Sequence, residues 1–104
     1  MNQTTINQGK TIAIISYITF IGLIVAYIMN SDKQNAFAKF HIGQSLRIVI
    51  AGLANSVLSW FLPSALGIIS TIIGFLLLAL MIMGIVNAVN GKAEPLPVIG
   101  SIEI

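Results

Sequence analysis

Three apolar runs separated by short polar turns dominate this chain of 104 residues, and each is long enough to cross a bilayer as a helix. Thr11 to Met29 carries no charge over about 19 residues, which matches one helical pass through the roughly 30 Å hydrocarbon layer. It reads as a retained first span: the run exceeds the 7 to 15 residues or so of a cleaved leader's apolar region, and no A-x-A site follows. The second span is about Ile42 to Leu62, stopped by Pro63, with Trp60 and Phe61 where an aromatic belt belongs. The third, Ala65 to Val89, is again free of charge. Leu62 to Ser64 leave so little linker that spans two and three must form a tight antiparallel hairpin.

The polar positions refine this picture. At about 100° per residue, His41, Gln44, Ser45, Ala51, Gly52, Asn55, Ser56 and Ser59 fall on one side of a helix, interrupted only by Ile48. The opposite side presents Ile42, Leu46, Val49, Ile50, Leu53, Val57 and Trp60, which lipid or an apolar neighbour would accept. In the third span Gly67, Ser70, Gly74, Met81 and Ala88 share a face, and in the first Thr19, Gly22 and Ala26 do. Small residues of this kind let membrane helices approach closely. Asn30 to Gln34 is a turn, with Ser31 or Asp32 as the expected N-cap of the next helix. Asn35 to Gln44, with Phe37, Phe40 and Gln44 at spacings of three and four, predicts a short amphipathic helix at the membrane surface, or the leading turns of span two. Gly91 is placed to close the last helix as a left-handed cap. Pro95 and Pro97 exclude helix from the tail 91–104, expected to be extended and held by Leu96, Val98 and Ile99. Met1 to Gly9 reads as an unstructured polar lead.

Composition agrees with membrane residence and narrows the chemistry. Hydrophobic residues make up 57% of the chain and charged residues 8%, against about 25% charged in ordinary soluble domains. The expected fold is therefore all-α, a single membrane domain of three transmembrane helices with an interfacial helix before the second. Five basic residues and a net charge of +2 are too few and too scattered for a nucleic-acid groove. With three spans, Lys33, Lys39, Arg47 and Lys92 lie on one side and Lys10 on the other. The positive-inside tendency then puts the C-terminus in the cytoplasm and the N-terminus outside.

Candidate chemistry is sparse. There is no cysteine, and the three acids, Asp32, Glu94 and Glu103, all lie outside the spans, so paired-carboxylate catalysis has no basis. His41, the single histidine, cannot assemble a metal site alone. A Ser45–His41 pair would lack an orienting acid and oxyanion donors. No catalytic residue, cofactor or metal is expected. His41, Gln44, Ser45, Gly52, Asn55, Ser56 and Ser59 form instead a candidate packing or partner face, on which His41 and Gln44 are either wetted surface residues or contacts that fix the chain's entry. Asn55, deeper in, needs hydrogen-bond partners in a bilayer. Lys39 and Arg47 are candidates for lipid headgroup or partner contact. Arg47 either snorkels to the headgroups or pairs with Gln44, a backbone carbonyl or a partner's acid.

Phe40-His41-x-x-Gln44-Ser45-Leu46, then an apolar hairpin, then Asn90-Gly91-Lys92-x-x-x-Leu96-Pro97-x-Ile99-Gly100, resembles the import-channel component of the chloroplast inner envelope and its short bacterial relatives. The resemblance covers about residues 12 to 100. It implies a small multi-pass membrane protein with a link to protein translocation or membrane-complex assembly, and it transfers no catalytic residue. Two functional expectations are open. The first is a non-enzymatic accessory or assembly subunit that packs its polar face against itself as a homo-oligomer or against a larger membrane complex. The alternative is an oligomeric pore or translocation component lined by that face, although the stripe is uncharged from Ala51 to Ser59, unlike an acidic selectivity ring.

Overall fold

The computed structural model describes residues 1–102; Glu103 and Ile104, the end of the expected tail, lie outside the described residues. The described chain is helical: α1 (Gln3–Ile18), α2 (Phe20–Lys33), α3 (Ala36–Phe61), a 3-10 turn (Ser64–Leu66) and α4 (Gly67–Val89). α1 begins inside the polar lead, where Asn2 caps it by accepting the Thr5 N–H at 2.8 Å.

The expected single helix from Thr11 to Met29 is corrected: the run folds back on itself at Thr19. That residue is extended (φ −152°, ψ 172°), and its hydroxyl accepts the Gly22 N–H at 2.9 Å, capping α2. A β-branched hydroxyl residue suits both tasks, since it tolerates extended backbone and carries a capping oxygen. Gly22 makes the reversal possible, because a Cβ there would overlap the Ile15 carbonyl of the preceding helix. α2 then returns along α1, so that Ile12 packs with Leu23 and Ala26, and both with Ala38 and Ile42 of α3. At 1.5 Å per residue the two helices are about 24 and 21 Å long, each short of the roughly 30 Å hydrocarbon layer.

The next turn is tied by asparagines. Asn35 donates its backbone N–H to Asn30 Oδ1 at 2.9 Å, accepts Asn30 Nδ2 at its carbonyl at 3.2 Å, and caps α3 by accepting the Ala38 N–H at 3.0 Å. It takes the place expected for Ser31 or Asp32, which lie in the last turn of α2. Residues 35–44 are not a separate surface helix. Without a proline or a capping break to interrupt them, they are the leading turns of a 26-residue α3. α3 and α4 are the two helices long and apolar enough to cross a membrane. α4 ends in a Schellman motif: Gly91 takes φ +73°, its N–H reaches Ala88 O at 3.2 Å, and Lys92 N–H reaches Asn87 O at 2.8 Å.

The molecule, 51 × 22 × 22 Å in extent, is uneven along its length. At one end α1 is surrounded by α2, α3, α4 and the tail. One core there joins Ile12, Leu23, Ala26, Ala38 and Ile42, and another joins Ala13, Tyr17, Phe37, Ala88 and Leu96. At the other end α3 and α4 stand alone as a hairpin. The N-terminal half of α1 lies at the packed end, since Asn35 Nδ2 donates to Thr5 O at 2.9 Å and Ile6 and Lys10 lie against Gly91. Once α2 doubles back, the start of α1 and the end of α4 lie at the same end of the molecule. All five basic residues gather at that end.

Candidate functional site

The first turns of α3 present Phe37, His41, Gln44 and Ser45 inward at spacings of four, three and one, and all four are buried. Ser45 Oγ donates to the Ser16 carbonyl of α1, while Ser16 Oγ turns back to Ala13 O at 2.6 Å. His41 is fully enclosed, with Phe37 and Phe40 edge-on to its ring at centroid distances of 4.7 and 5.2 Å. Its Nε2 lies 2.8 Å from Lys92 O and its Nδ1 lies 2.7 Å from the Tyr17 hydroxyl. A carbonyl only accepts, so Nε2 carries the proton and neutral Nδ1 accepts from Tyr17. The Tyr17 ring in turn lies on Gly84 of α4, where a Cβ would overlap it. A single line of contacts thus joins α1, α3, α4 and the segment after α4.

Gln44 extends the line into the tail. Its Oε1 accepts the Leu96 N–H at 2.9 Å and its Nε2 donates to Gly100 O at 3.1 Å. The tail closes around this amide, since Gly100 N–H also returns to Leu96 O at 3.0 Å, and a Cβ on Gly100 would come within 2.6 Å of Gln44 Oε1. Leu96 is buried between α1 and α4, whereas Val98 at the tip of the turn is 89% exposed and adopts φ +70°, a region that β-branched residues rarely enter. Residues 97–101 therefore form a turn where an extended tail is expected, and of the three residues expected to hold it Leu96 and Ile99 pack on the core while Val98 does not. Arg47 adds a third tie, donating from Nε to Ile102 O at 2.7 Å.

The deeper stripe residues are placed differently. Asn55 donates to Ser70 O and accepts from Ser70 Oγ, both at 3.1 Å, across the α3–α4 seam. Gly74 is next to this pair, so the expected small-residue face of the third run meets the stripe here. Ser56 Oγ bonds Gly52 O at 3.1 Å, Ser59 Oγ bonds Ser56 O at 2.7 Å, and Gly52 has open space beside it. The structure thus brings His41, Gln44 and Ser45 together, ties Asn55 to α4, and leaves Ser56 and Ser59 on the outside. Lys39 is exposed. Among the described residues, every buried side-chain nitrogen and oxygen has a hydrogen-bond partner, and no three histidine or acid side chains converge as a metal cluster would. Such an arrangement can fix a shape.

Tyr17, Ser16, Gly84, Leu96 and Gly100 belong to this centre, and the sequence pattern does not mark them as site residues. One signal is available for Tyr17, a phenol in an apolar run that must find a hydrogen-bond partner. No family model, curated protein or solved structure matches the chain.

Proposed function

We propose that the protein is a non-enzymatic accessory or assembly subunit of a bacterial cytoplasmic membrane complex. The α3–α4 hairpin crosses the bilayer and the α1–α2 pair enters from the cytoplasmic side and returns. The observation that carries the reading is the surface of the hairpin. Leu53, Val57, Trp60, Ile68, Phe75 and Leu76 are all exposed on it. Only 17% and 6% of the residues in the most apolar stretches of its two helices are buried, whereas the core helix of a soluble protein would be mostly covered. Lipid or the helices of a partner are the surroundings that such a surface fits. The gathering of the basic residues at the packed end supports a cytoplasmic location for that end and for both termini. A third crossing would require α1 and α2 to straighten at Thr19 and to give up the packing of Ile12 on Leu23 and Ala26. The internal bonding of Asn55 supports a packed stripe over a water-lined one. The resemblance to the envelope import channel supports protein translocation as the process served.

The test is purification in a mild detergent followed by mass spectrometry. Recovery of one stoichiometric membrane partner is the expected result. Recovery of the chain alone as a closed homo-oligomer, with cysteines at Ser56 and Ser59 reactive to small aqueous thiol reagents, would replace this reading with the pore.

A further inference from the structure

Between the last turns of α2 and the first turns of α3 lies an open groove of about 1000 Å³. Tyr27 and Ser31 stand on its α2 side, and Lys39, Phe40, Leu46 and Arg47 on its α3 side. Among the described residues two cations line it and no acid does. Lys39, Gly43 and Arg47 follow one another at four-residue intervals, so they form a row along one face of α3. A Cβ at Gly43 would lie 3.1 Å from Arg47 Nη1, so the guanidinium reaches back over the glycine towards Lys39 while Ile102 O holds its Nε. The bare glycine thereby gives the guanidinium room to lie against the wall of the groove. In the opposite direction, Leu46, Ile50 and Leu53 continue at intervals of four and three as an exposed apolar strip towards the hairpin tip.

We propose that this groove holds one anionic phospholipid, with its phosphate between Lys39 and Arg47 and its acyl chains along Leu46, Ile50 and Leu53. The inference rests on the proposed membrane insertion, which sets the cations at headgroup depth and the strip in the hydrocarbon. Paired cations recognise the phosphate, and Arg47 can do so with two parallel N–H groups. The apolar strip leading away from them selects a lipid over a free phosphate, because only an amphiphile satisfies both ends of the groove. Gly43 is the shape determinant.

The experiment reconstitutes the full chain into nanodiscs of equal phosphatidylglycerol and phosphatidylcholine. The protein is then released and its retained lipid counted by native mass spectrometry. The wild type is expected to retain one phosphatidylglycerol with an enrichment of about five-fold or more. Lys39→Gln with Arg47→Gln should abolish the enrichment. Gly43→Val, which keeps both charges and displaces the Arg47 guanidinium from its place over Gly43, should reduce it as well. Lys33→Gln with Lys92→Gln removes equal charge from the same end but outside the groove, and should leave the enrichment intact. Equal loss in both double variants would reduce the effect to diffuse attraction and overturn the site. Displacement of the lipid by millimolar glycerol phosphate would show a free-phosphate site and overturn the lipid assignment. Failure of the chain to enter nanodiscs would remove the membrane reading and this inference with it, whereas entry without enrichment would remove the inference alone.

Discussion

One helix, α3, passes through two environments that treat side chains in opposite ways. Over its first turns the polar residues His41, Gln44 and Ser45 are buried and the chain is wrapped on several sides. From Ile50 onward the apolar residues are exposed, Trp60 at 78% and Phe61 at 80%. Apolar side chains thus cover the outside of the hairpin, whereas at the packed end polar side chains are buried beside two apolar cores. Hydrogen bonds and close approaches join the helices there beside the apolar cores. The packed end supplies both, through the Tyr17–His41–Lys92 line, the Gln44 clamp and the Gly84 and Gly22 contacts.

Substitutions at the two ends should therefore differ in size. Gln44→Leu has the largest expected effect, because it leaves the Leu96 N–H and the Gly100 carbonyl without partners, at about 1–3 kcal/mol each. The variant should melt well below the wild type in a common detergent, and its tail should be cut after Lys92 by trypsin under conditions that spare the wild type. A tail that stays protected would mean Gln44 does not hold it. Gly84→Val comes next, at about 1–3 kcal/mol of overpacking against the Tyr17 ring. Its melting temperature should recover in part when Tyr17→Ala is added, and no recovery would place the clash elsewhere.

Asn55→Leu should cost less, about 0.6 to 2 kcal/mol, by removing both bonds to Ser70 in the α3–α4 seam. Leu58→Ala, exposed nearby on the same helix, should change stability by less than about 0.5 kcal/mol, since detergent or lipid replaces what the shorter side chain gives up. A larger loss at Leu58 than at Asn55 would reverse the comparison between seam and outer surface.

Legibility in the sequence divides along the same line. The hairpin is local: apolar runs define α3 and α4, Pro63 ends the first of them, and Gly91 closes the second. The polar residues of α3 also stand out, because they interrupt an apolar pattern. The packed end depends on contacts far apart along the chain, with Gln44 meeting residues 52 and 56 positions away and Tyr17 meeting His41 24 positions away. No periodicity encodes these pairs. Thr19 is the instructive case. A threonine inside an apolar run is compatible with an unbroken membrane helix, whereas here the Thr19 cap, the close approach of Gly22 to Ile15 and the packing of Ile12 on Leu23 and Ala26 accompany the reversal. The break at Thr19 divides the first run into two antiparallel helices.

The most direct test of the doubled-back first run is a pair of distances measured between spin labels in the reconstituted protein. Labels on engineered cysteines at Gln3 and Lys92 are compared with labels at Gln3 and Ser64, the native chain having no cysteine. With α2 returning along α1, Gln3 lies at the end shared with Lys92, and the Gln3–Ser64 distance should exceed the Gln3–Lys92 distance by on the order of 20 Å or more. A straight helix through Thr19 would carry Gln3 to the side of Ser64. A shorter distance to Ser64 than to Lys92 would contradict the fold described for the packed end.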